Sequence, residues 1–166
     1  MGLVSEDRKG EGLLLNLSVA DNLTLSKLGG PWVRPSRLLE SAGRWIDRLG
    51  IRCRGPEDRV SDLSGGNQQK VAIARLLHQE ADILLLDEPT RGIDVGSKAQ
   101  IYQLIDELVT RSDRRRAVLM VSSYLPELLG VCDRIAVMCR GRLGQARPTT
   151  ELSERQLMLE ATGDAA

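Results

Sequence analysis

Phenylalanine is absent from this chain of 166 residues, and Trp32, Trp45, Tyr102 and Tyr124 are its only aromatic side chains. Binding of unpaired nucleic-acid bases relies on such rings for stacking, so that class of partner loses ground. An excess of one charge is lacking too. The 23 basic residues balance 23 acidic ones, which removes any general attraction for nucleic acid or an anionic membrane surface. Cys53, Cys132 and Cys139 form an odd set with neither paired-knuckle metal spacing nor the density of a disulfide scaffold, and read as reduced thiols of a cytosolic protein. Cys132 and Cys139 sit at opposite ends of one expected strand, which argues against a metal pair. The longest apolar stretches, residues 83–86 and 117–121, fall far short of a membrane span, which takes about 20 residues. The first residues turn acidic too early for a secretory signal, and Glu6 occupies the position where a myristoylation motif needs Ser or Thr.

What is present has the size of one domain. Residues 1–15 read as a strand end leading into a charged, glycine-punctuated loop. Residues 18–28 and 36–49 have helical spacing, the latter with Leu38, Ala42, Trp45 and Leu49 on one face and Gly50 placed to end it. Gly29-Gly30-Pro31 links the two. A further helix over residues 66–78 repeats Val71, Ala74 and Leu77. The apolar runs 83–86 and 117–121, separated by a helix carrying Ile101, Leu104, Ile105 and Leu108, predict a parallel sheet covered on both faces. A strand over 134–138, a glycine turn at Arg140-Gly141-Arg142 and a helix over 153–161 finish the chain. The organisation expected is a helical subdomain over 16–80, a strand-rich core over 81–147 and a terminal helix over 148–166.

Two stretches carry chemistry. In Leu63-Ser64-Gly65-Gly66-Asn67-Gln68-Gln69-Lys70 a glycine pair stands directly before an amphipathic helix. The glycines let a phosphate approach the main chain, Ser64 adds a hydroxyl, and the positive end of the helix dipole faces the same spot. The bland alternative is a plain N-cap, since Ser before small residues is common at helix starts. In Ile83-Leu84-Leu85-Leu86-Asp87-Glu88-Pro89-Thr90 a buried strand ends in two adjacent carboxylates. Ligands of open α/β sheets bind at that edge, so Asp87 can hold Mg²⁺ through water while Glu88 polarises an attacking water. A capped strand followed by a solvent-facing turn would explain one carboxylate, but explains a pair poorly.

Together these residues resemble the ABC ATPase family: residues 63–70 match its signature, Asp87-Glu88-Pro89-Thr90 its Walker B and Gly92-Ile93-Asp94 its D-loop. The phrases Ser5-Glu6-Asp7-Arg8-Lys9, Gly65-Gly66-Asn67 and Thr90-Arg91-Gly92-Ile93-Asp94-Val95-Gly96 are similar to the carboxyl-terminal cassette of monosaccharide (ribose, galactose or xylose) importers. The resemblance implies a partial P-loop NTPase fold, α/β with a parallel sheet core and a helical subdomain. It implies ATP and Mg²⁺ as ligands, with Ser64, Gly65, Gly66, Asn67 and Gln68 touching the nucleotide of a facing cassette, Glu88 as catalytic base, Asp87 as metal-water ligand and Asp94 in the D-loop. The implied partners are a P-loop-bearing cassette, membrane permease subunits and, indirectly, a sugar-binding protein, at the cytoplasmic face of the plasma membrane, with no nucleic acid.

Departures from the pattern qualify this. No Gly-x-x-x-x-Gly-Lys-Ser/Thr occurs, so the amide cradle and lysine for the β- and γ-phosphates are missing from these residues. The family's ATPase activity is accordingly not expected of the isolated chain. Glu6 stands at the Q-loop position, where a carboxylate can reach a magnesium ion but brings negative charge toward phosphates. Ser123 replaces the switch histidine and cannot carry positive charge to a γ-phosphate, and Tyr124 follows it. His78, the chain's single histidine, ends the signature helix and reads as structural. Arg114-Arg115-Arg116 reads as a solvated helix end. Two alternatives remain: a remnant whose start falls inside the fold, leaving apolar faces and strand edges unpaired, and a soluble ABC ATPase of ribosomes or DNA, for which no long coiled coil or basic arm is found.

Overall fold

The computed structural model describes residues 1–28, 32–110 and 115–163, so the linker Gly29-Gly30-Pro31 and Arg114 lie outside the described residues. The chain divides into two units, Met1–Val121 and Ser122–Ala166. Residues 16–80 share the first unit with the strands on either side of them.

The first unit is built on three parallel strands, β1 (Gly2–Val4), β2 (Ile83–Asp87) and β3 (Ala117–Val121), in the order β1-β2-β3. Between β1 and β2 run α1 (Val19–Thr24), α2 (Pro35–Leu49) and α3 (Gly65–His78); α4 (Val95–Thr110) connects β2 to β3. The register pairs Val4 with Leu86 and Leu86 with Met120. Side chains alternate along a strand, so Val4, Leu84 and Leu86 share one face, and all are buried. A Cβ on Gly2 would lie 2.7 Å from the Leu76 side chain, which shows how closely α3 lies over that face. The expected cover on the opposite face is not there: Leu3, Ile83, Leu119 and Val121 are 55%, 46%, 62% and 57% exposed. Continuous apolar strands announce a two-sided sheet, but among the described residues only one side is packed.

The helices start and stop where local chemistry dictates. Ser18 and Asp21 form a reciprocal capping box on α1. The helix expected over 18–28 ends instead at Thr24, because the Lys27 carbonyl is bonded to His78 Nε2 at 3.0 Å and Lys27 Nζ pairs with Glu80. Trp45 Nε1 donates to His78 Nδ1 at 3.3 Å. An indole N–H can only donate, so the imidazole proton sits on Nε2 and is given to Lys27. The structural reading of His78 therefore acquires definite partners in α2 and beyond α1. Proline opens α2, and Gly50 closes it in the left-handed region at φ 57°. Lys70 of α3 then donates to the Gly50 carbonyl at 3.0 Å and to Gln100 of α4 at 2.9 Å.

In the second unit, α5 (Leu125–Val131) is followed by β4 (Arg134–Ile135), β5 (Met138–Cys139), β6 (Arg142–Leu143), β7 (Arg147–Pro148) and α6 (Glu154–Thr162). The expected turn is the tip of the β5–β6 hairpin, with Arg140 and Gly141 both at positive φ, 47° and 77°, the signature of a primed turn. The single strand expected over 134–138 is split: β4 pairs with β7 and β5 with β6, and Val137 bends away to accept the Gly144 N–H at 2.8 Å. Ser153 and Gln156 box the start of α6, and Gly163 ends it.

If one sheet face is bare, substitutions on the two faces must differ. Leu84→Ala is expected to lower unfolding free energy by about 2–5 kcal/mol, whereas Leu119→Gln should stay within about 0.5 kcal/mol and reduce binding of a hydrophobic dye. Urea unfolding of the chain measures the first pair of values; a loss at Leu119 as large as that at Leu84 would show the face to be covered.

Candidate functional site

Three segments converge at the amino end of α3: the turn after β1, the start of α3 itself and the turn after β2. Asp7 creates the first of these. Its carboxylate accepts the Lys9 and Gly10 N–H groups and so caps a single π-helical turn, Arg8–Gly12, where the sequence suggested only a loop. That turn swings Arg8 inward. Its Nη1 donates to the Gly65 carbonyl at 2.7 Å and its Nη2 to the Arg91 carbonyl at 3.0 Å. Burial pushes the guanidinium pKa down from its ordinary value. Glu6, at the Q-loop position, forms an ion pair with Arg91, so its charge is offset within the chain. Nothing in the run Glu6-Asp7-Arg8-Lys9 marks Arg8 as the member that turns in, and sequence reasoning missed it.

At the start of α3, Ser64 occupies the N-cap position but its side chain makes no capping bond to the helix backbone. The first intrahelical bond is Gln68 N–H to Ser64 carbonyl at 2.9 Å, and the N–H groups of Gly65, Gly66 and Asn67 have no acceptor among the described residues. Asn67 accounts for the diversion of Ser64. Its Oδ1 accepts the Arg52 N–H at 2.9 Å, and its Nδ2 donates to Ser64 Oγ at 2.9 Å. A backbone N–H can only donate, so the amide orientation is fixed, and Ser64 Oγ must act as acceptor toward Asn67. Its own hydrogen is left to be given elsewhere. Both donors of Gln68 are committed within the chain, its N–H to the Ser64 carbonyl and its buried side-chain amide to the Val60 and Leu63 carbonyls. Gly66 is required by packing, since a Cβ there would fall 2.5 Å from Ser97 at the head of α4.

The carboxylates lie at the carboxyl end of β2. Asp87 is the last strand residue, and Glu88 extends the ladder by donating its N–H to the Val121 carbonyl at 2.9 Å. Glu88 adopts φ 44°, a left-handed conformation that costs a non-glycine residue about 1–3 kcal/mol and recurs at functional sites. Pro89 and Thr90 are buried and anchor the turn. Among the described residues no three metal-binding side chains cluster. A lone aspartate at a strand end suits Mg²⁺, which takes one or two carboxylates and fills its shell with water and phosphate oxygens, and does not suit an all-protein cage. Asp94 accepts the Ser97 N–H at 2.9 Å, and this bond and that of the Ser97 hydroxyl hold its carboxyl below the usual range. Ser123 belongs to the second unit, where Ser122 Oγ donates to buried Glu127 and accepts the Tyr124 N–H. Burial raises the Cys53 and Cys132 thiols, as expected of reduced, unreactive cysteines.

Residues 1–91, more than half of the chain, match the ABC transporter family. The chain belongs to that family. This ABC chain is 42% identical over 167 residues to a ribose import ATP-binding protein of Shouchella clausii, covering 98% of the chain and 33% of the relative. It is 43% identical to a xylose import ATP-binding protein of Moorella thermoacetica (98% and 32%) and 46% identical to a ribose import ATP-binding protein of Streptomyces avermitilis (95% and 30%). The chain thus spans about one third of the length of the curated relatives it matches. Among solved structures, the ATP-binding cassette MJ0796, a dimer in a post-hydrolysis state bound to ADP and Pi, superposes with a TM-score of 0.72 at 24% identity, over 89% of this chain and 62% of that one. That likeness establishes the P-loop NTPase fold class.

Two outcomes test the ABC site's construction. Gly66→Ala should lower stability by about 1–3 kcal/mol through overpacking, and Ser97→Gly should recover part of that loss in the double variant; additive losses in a double-mutant cycle would deny the contact. The carboxyl of Asp94 has a depressed folded-state pKa, so its contribution to stability is present above the ordinary carboxylate pKa and is lost as pH falls through the folded value. Asp94→Asn should therefore lower stability at neutral pH and flatten the acid limb of the stability–pH curve, so that variant and wild type converge as pH falls.

Proposed function

We propose that this chain is the signature-bearing part of the ATP-binding component of a carbohydrate importer, which couples ATP hydrolysis to sugar uptake at the cytoplasmic face of the plasma membrane. Its substrate is MgATP held by a P-loop outside these 166 residues. Its partners are the cassette carrying that P-loop, a pair of membrane permease subunits and, through them, a sugar-binding protein. The reading draws on the import ATP-binding relatives and rests above all on one observation: Ser64 stands at a helix start without capping it, leaving amides and a hydroxyl hydrogen uncommitted.

In this mechanism the Ser64 hydroxyl and the amides of Gly65 and Gly66 close over a γ-phosphate of the facing cassette, where the α3 dipole adds to their pull. On this chain's own side, at a nucleotide whose P-loop lies outside these residues, Asp87 would hold Mg²⁺ through water, and the ion would supply charge neutralisation to the phosphate oxygens. Glu88 takes the proton of the water that attacks the γ-phosphorus of that own-side nucleotide, while the bond from that phosphorus to the bridging oxygen breaks and ADP leaves. Asp94 belongs to the same rim as the signature. Asn67 acts by holding Ser64 and Gln68 by bracing the turn, so neither needs to reach nucleotide with its side chain. Ser123 stands where the family has its switch histidine, and since a serine brings no positive charge to a γ-phosphate, Glu88 contributes little turnover. Phosphoryl transfer is mostly positioning and charge stabilisation, and without a lysine and amide cradle the isolated chain does not hydrolyse ATP.

Calorimetry with MgATP should show no tight binding by the chain alone. Mixing with a P-loop-bearing cassette should raise that cassette's hydrolysis, and Ser64→Arg should abolish the rise. Asn67→Asp keeps the acceptor for Arg52 but presents Ser64 with a carboxylate oxygen, which recaptures the hydroxyl hydrogen; the rise should fall at least about ten-fold, the equivalent of about 1.4 kcal/mol. Tight MgATP binding by the chain, or indifference to Ser64→Arg, overturns the reading. Capture of a permease pair from membranes supports the importer assignment, and capture of ribosomes refutes it.

A further inference from the structure

The tie made by Arg8 is not used in that reading. One planar guanidinium bonds two carbonyls on separate segments, Gly65 at the first turn of α3 and Arg91 in the turn after β2. The segments are drawn together elsewhere as well: a Cβ on Gly65 would lie 3.3 Å from the Gly92 carbonyl and 3.5 Å from Arg8 Nη1, and one on Gly92 would lie 3.5 Å from Arg8 Nη2. The space around the guanidinium is kept by glycine on both sides. Its acceptors are neutral. No carboxylate of the described residues pairs with Arg8, since Glu6 is engaged by Arg91, and burial alone accounts for the lowered guanidinium pKa.

Half-burying a cation for two neutral hydrogen bonds returns little stability, because no opposite charge offsets the desolvation. What the arrangement does provide is geometry. The Nη atoms of a rigid fork set the separation and direction of the two carbonyls they bond, which an ammonium on a flexible stem cannot do. We propose that Arg8 is a positioning residue that locks the signature turn to the turn following Glu88. Through it the segment of residues 5–12 dictates how Ser64 and Asp94 are presented together to a facing nucleotide. This regulation of the signature rests on the trans reading given above, but the lock itself does not. The segment's second anchor, Glu6 on Arg91, lies on the same turn after β2 and leaves Gly65 untouched, so Arg8 alone connects residues 5–12 to α3 by hydrogen bonds among the described residues.

Amide hydrogen exchange of the full chain tests the lock. Arg8→Lys, which retains charge, should raise exchange about ten-fold or more at Gln68, Arg91 and Ser97, the hydrogen-bonded amides of the two segments, with exchange in the interior of α3 and the urea midpoint unchanged; Glu6→Gln should leave Gln68 as in wild type. Unchanged exchange at both segments in Arg8→Lys, or an equal rise across the first unit, overturns the proposal. A measurement on the wild type guards against an unfolded variant. A guanidinium held by two carbonyls gives separate, slowly exchanging Nη proton signals for Arg8, and a single averaged signal refutes the lock. With a P-loop-bearing cassette, Arg8→Lys should lower the maximal stimulated rate at least five-fold without moving the ATP concentration giving half-maximal rate. If Ser64→Arg abolishes stimulation while Arg8→Lys leaves it intact, the regulatory role of Arg8 fails and the trans reading stands. If Ser64→Arg has no effect, the trans reading fails, and the exchange data still decide the lock.

Discussion

The close approach of α3 to the head of α4 is the constraint on which the rest of the site depends. It is possible only because residue 66 has no side chain, with Ser97 occupying the volume that a Cβ would need. Once that contact is made, the carbonyl of Gly92 lies against Gly65, and the turn after β2 is brought alongside the signature. Arg8 then finds both of its acceptors, and Asp94 finds the Ser97 amide that fixes its carboxylate. The two glycines thus have separate justifications. At residue 65 a side chain would press on the Gly92 carbonyl and the Arg8 guanidinium, whereas at residue 66 it would collide with Ser97.

Strain sits where this geometry leads. Glu88 is held in the left-handed region because its N–H completes the β2–β3 ladder on Val121 while its carbonyl accepts the Arg91 N–H to close the following turn. Satisfying both bonds one residue beyond the strand requires a sharp reversal, and buried Pro89 and Thr90 keep that reversal from relaxing. A conformation costing about 1–3 kcal/mol persists only when its surroundings over-determine it. Here the surroundings are two backbone hydrogen bonds and a buried turn, all independent of the glutamate side chain.

Much of the frame was legible in the sequence because its determinants are local or periodic. The apolar spacing of Val71, Ala74 and Leu77 marks α3, the uninterrupted run ending in Asp87 marks β2, and Gly50 and Arg140-Gly141 announce their helix end and hairpin turn. What stayed hidden depends on contacts between distant segments. α5 is a seven-residue helix whose apolar run has no readable period. The premature end of α1 depends on His78, and the split of β4 from β5 depends on Gly144. The same holds in the site: the residue types of Ser64 and the glycine pair suggest phosphate chemistry, but only the Arg52 amide determines which end of Asn67 meets the serine.

The electrostatics of the convergent segments follow from that framework. A carboxylate at position 6 would repel phosphate if it acted alone, yet its pairing with Arg91 makes the couple neutral at the outer edge of the site. Arg8, by contrast, has no anionic partner among the described residues, so the charge remaining beside the uncommitted amides of Gly65 and Gly66 is positive. Asp87 and Glu88 sit at the end of β2, and the guanidinium of Arg8 is held by carbonyls rather than by either of these carboxylates. The segregation is therefore built by hydrogen-bond choice: neutral acceptors for Arg8, an ion pair for Glu6 and a helix amide for Asp94. An anion approaching the start of α3 meets amides and an unneutralised cation, while the acidic groups of the same three segments are paired, turned to a helix end or set at the strand terminus where a divalent cation fits.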